Sequence, residues 1–242
     1  MDDFLKEVSN GVLDVRVELV LALLTSLFIG SALVLLWYKR KPEDKVLLVI
    51  LAVLQIIEFV TINIWYWAMD YLLYPLPLYH CRIAKILLVL FVFLPSKWRR
   101  KARGVYIYTI GMAVLGAIAS FVYPSSDAFL WPHITHVCYF FGHFNLMLFS
   151  IAMLMVEKER WTLSDFWKGQ GVILIFNIVI TIVARASHAN YSYFLESPLF
   201  NEPLQANGPI VYTLLLMFSY AVLFALAFLV IKGIERIAWG KK

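Results

Sequence analysis

The chain has 242 residues, of which 62% are hydrophobic and 15% are charged, and its mean hydropathy is +0.79. A soluble domain of this length would need a much more polar surface, so the composition excludes a soluble globular protein and predicts an integral membrane protein. The net charge of +5 does not indicate nucleic-acid binding, because the basic residues lie at predicted helix ends and no recognition module accompanies them.

Seven segments are apolar and long enough to cross a hydrocarbon core of about 30 Å, which takes roughly 20 helical residues. They are, in chain order, Val17–Tyr38, Val46–Met69, Leu76–Leu94, Val105–Tyr123, His133–Val156, Gly171–Ala186 and Pro209–Ile231. The sequence therefore predicts an all-α fold: one integral membrane domain over residues 1–242, built as a polytopic bundle of seven transmembrane helices.

The basic residues predict the orientation of this bundle. Sixteen of the 21 lysines and arginines fall in alternate gaps between the spans: Lys39, Arg40, Lys41, Lys45, Lys97, Arg99, Arg100, Lys101, Arg103, Lys158, Arg160, Lys168, Lys232, Arg236, Lys241 and Lys242. Short loops rich in Lys and Arg stay in the cytoplasm, so we expect a cytoplasmic C-terminus and, with seven spans, an N-terminus outside. All five histidines then lie toward the outer side.

Ionisable residues inside the spans are the first functional candidates, because a charge in the bilayer costs at least a few kcal/mol. Glu58 lies near the middle of the second span, Arg82 and Lys85 lie in the outer part of the third, and Arg185 ends the sixth. Glu58 can pair with Arg82 or Lys85 as a contact between helices, or the same residues can line a polar cavity. The two interpretations are compatible.

The third span begins with a proline-rich segment followed by a thiol. The segment Pro75–Pro77 interrupts regular helix and frees backbone groups near the outer interface. His80, Cys81 and Arg82 follow it. A cysteine becomes a nucleophile when nearby positive charge lowers its pKa, and a helix N-terminus adds to this effect if Cys81 lies in the first turn. The alternative role, a small buried hydrophobe, is the one we predict for Cys138.

The fifth span carries several histidines on one side. At about 100° per residue, His136 and His143 are only about 20° apart around the helix, with His143 about 10 Å deeper. His133 lies within reach of the same cavity. Histidines that share a stripe at different depths predict a functional role for His143, with His136 lining the same cavity.

Three segments together resemble a known family. They are Leu76–Cys81 (Leu-Pro-Leu-Tyr-His-Cys), Phe141–His143 (Phe-Gly-His) and Asn190–Pro198, which precedes the Gly-Pro start of the last span. Their order and spacing resemble the YwaF-type bacterial integral membrane proteins. These in turn are similar to transmembrane protein 164, an integral membrane phospholipid acyltransferase of vertebrates. The similarity covers residues 58–212.

The resemblance implies acyl transfer between lipids through a cysteine thioester, with a histidine as acid and base. It places the nucleophile at Cys81 and the histidine at His143, and it matches Asn190 and Tyr191 to a loop motif that we expect to shape the site. His80 is a second candidate for the proton acceptor. The resemblance also implies a bacterial plasma membrane, and it requires no cofactor or metal.

The proposed chemistry assigns the remaining polar groups to lipid binding. Arg82, Lys85 or Arg185 would hold the phosphate of a phospholipid acyl donor in the outer headgroup zone, and a second membrane lipid would accept the acyl chain. Backbone amides freed near Pro77, or the side chain of Asn190, would stabilise the oxyanion.

Two other functions remain open from the sequence. In a zinc-dependent seven-helix lipid hydrolase, His133 and His136 would ligate the metal with His188 or His143. In a non-enzymatic transporter or lipid-binding protein, Glu58 with the cations of the third span would mark a path for substrate or protons.

Overall fold

The computed structural model describes residues 21, 22, 25, 26, 29, 30, 45–71, 76–127, 129, 133–157 and 160–239. Most of the predicted first span, Val17–Tyr38, lies outside these residues, and so do six of the predicted cytoplasmic cations: Lys39, Arg40, Lys41, Lys158, Lys241 and Lys242.

The regular structure is helical, and the described part of the chain contains no strand. The α-helices are α1 (Lys45–Ala68), α2 (His80–Phe93), α3 (Ser96–Lys101), α4 (Arg103–Val122), α5 (Ile134–Glu157), α6 (Leu163–Ser187), α7 (Asn201–Gln205) and α8 (Pro209–Trp239). A 3₁₀ turn over Tyr191–Tyr193 lies between α6 and α7. The all-α prediction is confirmed.

Five of these helices are long and apolar enough to cross a membrane: Lys45–Ala68, Arg103–Val122, Ile134–Met155, Leu163–Ser187 and Pro209–Arg236. They coincide with the second, fourth, fifth, sixth and seventh predicted spans, so the protein is a multi-pass membrane protein. The count of seven spans and the orientation of the termini remain predictions.

The third predicted span differs from the structure in length. Its helix, α2, begins at His80 instead of Leu76 and has 14 residues, which corresponds to about 21 Å at about 1.5 Å per residue. Pro77 accounts for the late start, because proline lacks a backbone N–H and disfavours helical conformation in the residue before it. The helix is therefore shorter than a hydrocarbon core of about 30 Å.

The described chain divides into two compact units. The first comprises Met1–Leu76, Leu88–Phe93 and Gly116–Glu159, and within it α1 packs against α5. Its aromatic core contains Trp65, Tyr66 and Cys138. The expected role of Cys138 as a small buried hydrophobe is confirmed, since its side chain is 5% exposed.

The second unit comprises Pro77–Leu87, Leu94–Leu115 and Arg160–Lys242. In this unit α6 packs against α8, and the ring of Phe224 fits against two glycines, Gly111 and Gly169. The start of α6 is fixed by a capping box between Thr162 and Asp165, and Asp165 also accepts two hydrogen bonds from Arg103, at 3.0 and 3.2 Å.

Candidate functional site

Cys81 lies in the first turn of α2, which begins at His80. The backbone N–H of Ile83 donates to the carbonyl of Tyr79 at 2.9 Å, so Tyr79 is the N-cap and Cys81 is the second helical residue. The cysteine is half-buried and forms no disulfide with a described residue. At this position the helix dipole favours a negatively charged sulfur.

Two cations of α2 lie close to this turn. The Arg82 guanidinium lies 5.5 Å from the centre of the Tyr79 ring. Lys85 is only 5% exposed, and it follows Cys81 by one helical turn, so the two side chains share one side of α2. Positive charge therefore accompanies the thiol in the second unit.

His80 uses both of its ring nitrogens in buried hydrogen bonds. Nδ1 lies 2.8 Å from the hydroxyl of Tyr108, and Nε2 lies 2.9 Å from Oδ1 of Asn177. An amide oxygen only accepts, so Nε2 carries the proton and Nδ1 accepts the proton of Tyr108. The Tyr220 ring packs 4.5 Å from the imidazole. The lone pair that a general base needs is therefore occupied by Tyr108.

Sequence reasoning did not single out Asn177, Tyr108 or Tyr220. Asn177 is 1% exposed and Tyr108 is fully buried, and both Tyr108 and Tyr220 lie within electrostatic range of Cys81. The signal for Asn177 was present, because it is an amide in the middle of an apolar span. The rule that pointed to Glu58 would have found it.

The loop that follows α6 is bound to the segment that leads into α2. Ser192 Oγ donates to the carbonyl of Leu78 at 2.8 Å, and the Tyr79 hydroxyl donates to the carbonyl of Asn190 at 3.1 Å. The Tyr220 hydroxyl of α8 donates to the carbonyl of Ser192 at 2.9 Å. Ser192 has a φ of 47°, which is uncommon for a residue other than glycine. These hydrogen bonds hold that conformation.

The two loop-motif residues contribute to this arrangement in different ways. Asn190 Oδ1 accepts from the backbone N–H groups of Leu195 and Glu196, both at 3.0 Å, and its Nδ2 donates to the Glu196 carbonyl at 2.8 Å. Tyr191 is 2% exposed, and its ring lies 6.1 Å from that of Tyr79. Both residues shape the loop beside the start of α2.

Arg185 connects the end of α6 to the start of α8. Its Nη2 donates to the carbonyl of Pro209 at 2.9 Å and to the hydroxyl of Thr213 at 2.8 Å. The residue is exposed. Both hydrogen bonds come from Nη2, so the N–H groups of Nε and Nη1 can donate to an anion.

His143 lies in α5 of the first unit and is 7% exposed. Its Nδ1 lies 2.7 Å from the backbone carbonyl of Tyr139. A carbonyl oxygen cannot donate, so Nδ1 carries the proton and Nε2 carries the lone pair of the neutral ring. The lone pair of the ring is therefore on Nε2 in His143 and on Nδ1 in His80.

A chain of buried polar side chains joins α1 to α5 in the same unit. Asn145 Nδ2 donates to the Leu51 carbonyl at 2.9 Å and to Gln55 Oε1 at 3.1 Å, and Gln55 Nε2 donates to Glu58 Oε2 at 2.7 Å. Glu58 is 5% exposed. The Glu58 carboxyl group accepts the last hydrogen bond of this chain.

The other histidines of α5 take part in local hydrogen bonds. His133 Nδ1 lies 2.9 Å from the Thr135 hydroxyl, and His136 Nε2 lies 2.9 Å from the Asp127 carbonyl. In the described ranges, no three His, Cys, Asp or Glu side chains come together in a way that could hold a metal ion. The described geometry gives no support to the alternative of a zinc-dependent hydrolase.

The predicted site residues fall into both units. The second unit contains His80, Cys81, Arg82, Lys85, Arg185, Asn190 and Tyr191, and the first contains Glu58, His136 and His143. Within the second unit, the structure brings the thiol together with the two cations of α2 and the loop that follows α6.

Comparison with curated proteins gave no match, and comparison with solved structures gave none either. A family model, that of the TMEM164 family, matches residues 12–231. The match covers most of the 242 residues and includes every candidate site residue described above. The chain therefore belongs to the TMEM164 family.

Proposed function

We propose that this protein is a membrane-embedded lipid acyltransferase that carries the acyl chain on Cys81. The observation that supports this most directly is the position of Cys81 in the first turn of α2. There the helix dipole and the cations Arg82 and Lys85 favour the thiolate. Family membership supports a membrane protein that acts on lipids.

The reaction would take place in two transfers. In the first, the Cys81 thiolate attacks the ester carbonyl carbon of a phospholipid, a C–S bond forms, the C–O bond breaks, and the departing lysolipid oxygen takes a proton. In the second, the hydroxyl of an acceptor lipid loses its proton and attacks the thioester. The C–S bond then breaks and the thiolate is restored.

Proton transfer is assigned to His143. The resemblance gives this residue the role of acid and base, and its Nδ1–H bond to the Tyr139 carbonyl leaves the lone pair on Nε2. His80 is not assigned this role, because its Nδ1 lone pair accepts the hydrogen bond from Tyr108.

The negative charge of the tetrahedral intermediate needs hydrogen-bond donors. The first backbone N–H groups of a helix have no acceptor inside that helix, so the amides of Cys81 and Arg82 would serve as the oxyanion site. The guanidinium groups of Arg82 and Arg185, together with Lys85, would bind the donor phosphate. Asn190 and Tyr191 would shape the wall of the site.

The acyl-enzyme is the species that tests the proposal. Protein purified from membranes is analysed by intact mass spectrometry before and after neutral hydroxylamine, which cleaves thioesters. The wild type and a Cys138→Ser variant are expected to carry a hydroxylamine-labile fatty acyl adduct, and Cys81→Ser is expected to carry none. Lipid remodelling by purified Cys81→Ser at the wild-type rate would overturn the proposal.

Transport or lipid binding without catalysis is the second candidate. The chain from Asn145 through Gln55 to Glu58 supports it, because an oriented polar chain inside apolar helices is typical of a proton or substrate path. Loss of substrate uptake in vesicles by Glu58→Gln, together with an unlabelled Cys81, would favour this function over acyl transfer.

A further inference from the structure

A short basic helix follows the apolar end of α2. After Leu94 and Pro95 the chain forms α3, with the sequence Ser-Lys-Trp-Arg-Arg-Lys, and then continues into α4. Leu94 is 39% exposed and Trp98 is 46% exposed. An exposed apolar residue followed directly by exposed cations and a tryptophan is typical of the boundary between hydrocarbon and headgroups.

The cations of this region divide into two groups. Arg99 is 7% exposed, and its Nη1 donates to the Leu94 carbonyl at 3.1 Å. Arg103 pairs with Asp165. Lys97, Arg100 and Lys101, by contrast, are exposed, and none of them forms an ion pair with a described residue. The first group stabilises the fold, whereas the second is available to a partner.

The exposed cations are accompanied by indole rings. Lys101 Nζ lies 5.2 Å from the centre of the Trp98 ring. A second pair, Trp167 and Lys168, is exposed on α6, and a Cβ added at Gly104 would lie 3.1 Å from the Lys168 carbonyl. Lys168 therefore lies against the first turn of α4, directly after α3, and Trp167 precedes it on α6.

From this arrangement we infer that the surface formed by Lys97, Trp98, Arg100, Lys101, Trp167 and Lys168, here called the basic interfacial patch, binds the headgroups of anionic phospholipids. The lysines and arginines attract the phosphate and the negative surface of the bilayer. The tryptophans bind at headgroup level, where an indole contacts apolar chains and its N–H contacts polar groups. This surface is separate from Cys81 and does not depend on the proposed acyl transfer.

Lipid retention by the purified protein tests this inference. Full-length protein in a mild detergent is mixed with phosphatidylglycerol or phosphatidylcholine, and bound lipid is counted by native mass spectrometry. Arg100→Gln/Lys101→Gln is compared with Lys45→Gln/Arg236→Gln, which removes the same charge from exposed residues outside the patch. Each charge on an anionic surface contributes about fivefold in affinity, so we expect the patch variant to lose at least about tenfold in phosphatidylglycerol affinity and the control to lose less than about twofold.

Several outcomes would overturn the inference. These are equal losses in the two variants, equal binding of phosphatidylcholine, or displacement of the lipid by millimolar inorganic phosphate, which would indicate a phosphate-ion site. If the patch variant does not fold, quenching of Trp98 by brominated lipids in nanodiscs decides the question. The fluorescence of Trp98 is obtained as the difference between the wild type and Trp98→Phe. This fluorescence should be quenched more by brominated phosphatidylglycerol than by brominated phosphatidylcholine. Equal quenching would contradict the inference.

Discussion

Nε2 of His80 lies 2.9 Å from Oδ1 of Asn177, so a buried hydrogen bond joins the start of α2 to the middle of α6 directly beside Cys81. This bond places the proton of the neutral ring on Nε2, and the Tyr108 hydroxyl then occupies Nδ1. His143 has the opposite tautomer, with its proton on Nδ1. We therefore expect replacement of His80 and replacement of His143 to affect acyl-enzyme formation differently.

Replacing each histidine with glutamine should separate a positioning role from acid and base chemistry. His80→Gln keeps an N–H donor for Asn177, so we expect acyl-enzyme formation within about tenfold of the wild type. His143→Gln removes the basic nitrogen, and loss of a general base costs about 10²–10⁴-fold. The measurement is the rate at which Cys81 is acylated by a phospholipid in micelles. An equal loss in both variants at every pH would make His80 part of the proton-transfer chemistry.

Asn177→Leu should destabilise the second unit. The substitution leaves the Nε2–H of His80 buried without an acceptor, and hydrogen bonds between membrane helices contribute about 1–2 kcal/mol. Thermal unfolding in detergent should show this loss. Asn63→Leu is the matched control, because Asn63 donates only to the Phe59 carbonyl of its own helix, at 2.5 Å. A similar loss in both variants would contradict the role assigned to Asn177.

The parts of the structure that the sequence predicted are those that depend on local pattern. Hydropathy located the five long helices, and the two prolines before His80 indicated that regular helix is interrupted near the outer end of the third predicted span. Hydropathy placed the start of the third span at Leu76, whereas the helix begins at His80. The reason is that hydropathy is averaged over a window that includes Pro77, whereas proline is not tolerated inside a regular helix.

The contacts of the candidate site could not be predicted, because they join distant segments. Ser192 and Leu78 are 114 positions apart, and His80 and Asn177 are 97 apart. Only the packing of α2, α6 and α8 brings these residues together. The family resemblance named Asn190 and Tyr191 as loop residues, and their hydrogen bonds and ring contacts within the loop became apparent only from the structure.

Weakening the contacts between the loop that follows α6 and the start of α2 should expose Cys81. In Ser192→Ala the hydrogen bond to the Leu78 carbonyl is lost, and in Tyr220→Phe the bond to the Ser192 carbonyl is lost. We expect each variant to increase alkylation of Cys81 by a neutral maleimide several-fold, and to increase amide exchange at Leu195 and Glu196.

The control for the loop variants is Ser219→Ala. Ser219 is exposed on α8, and its hydroxyl donates only to the Leu215 carbonyl of the same helix, at 2.9 Å. The rate of Cys81 alkylation in Ser219→Ala should stay within about twofold of the wild type, because loss of the Ser219 hydroxyl leaves the loop contacts intact. Unchanged alkylation in Ser192→Ala and Tyr220→Phe would show that the loop does not restrict access to the thiol.

The ring of Phe224 requires glycine at two positions of the neighbouring helices. A Cβ added at Gly169 would lie 2.5 Å from the Phe224 Cζ, and one added at Gly111 would also overlap this ring. Gly169→Ala should therefore lower the free energy of unfolding by about 1–3 kcal/mol, the usual cost of overpacking. Gly171→Ala is the control, because no atom lies within 4 Å of its added Cβ, and alanine favours helix there.

Phe224→Leu should relieve the overlap, so a double-mutant cycle with Gly169→Ala should show favourable coupling. Additive losses in that cycle would mean that the ring does not set the requirement for glycine.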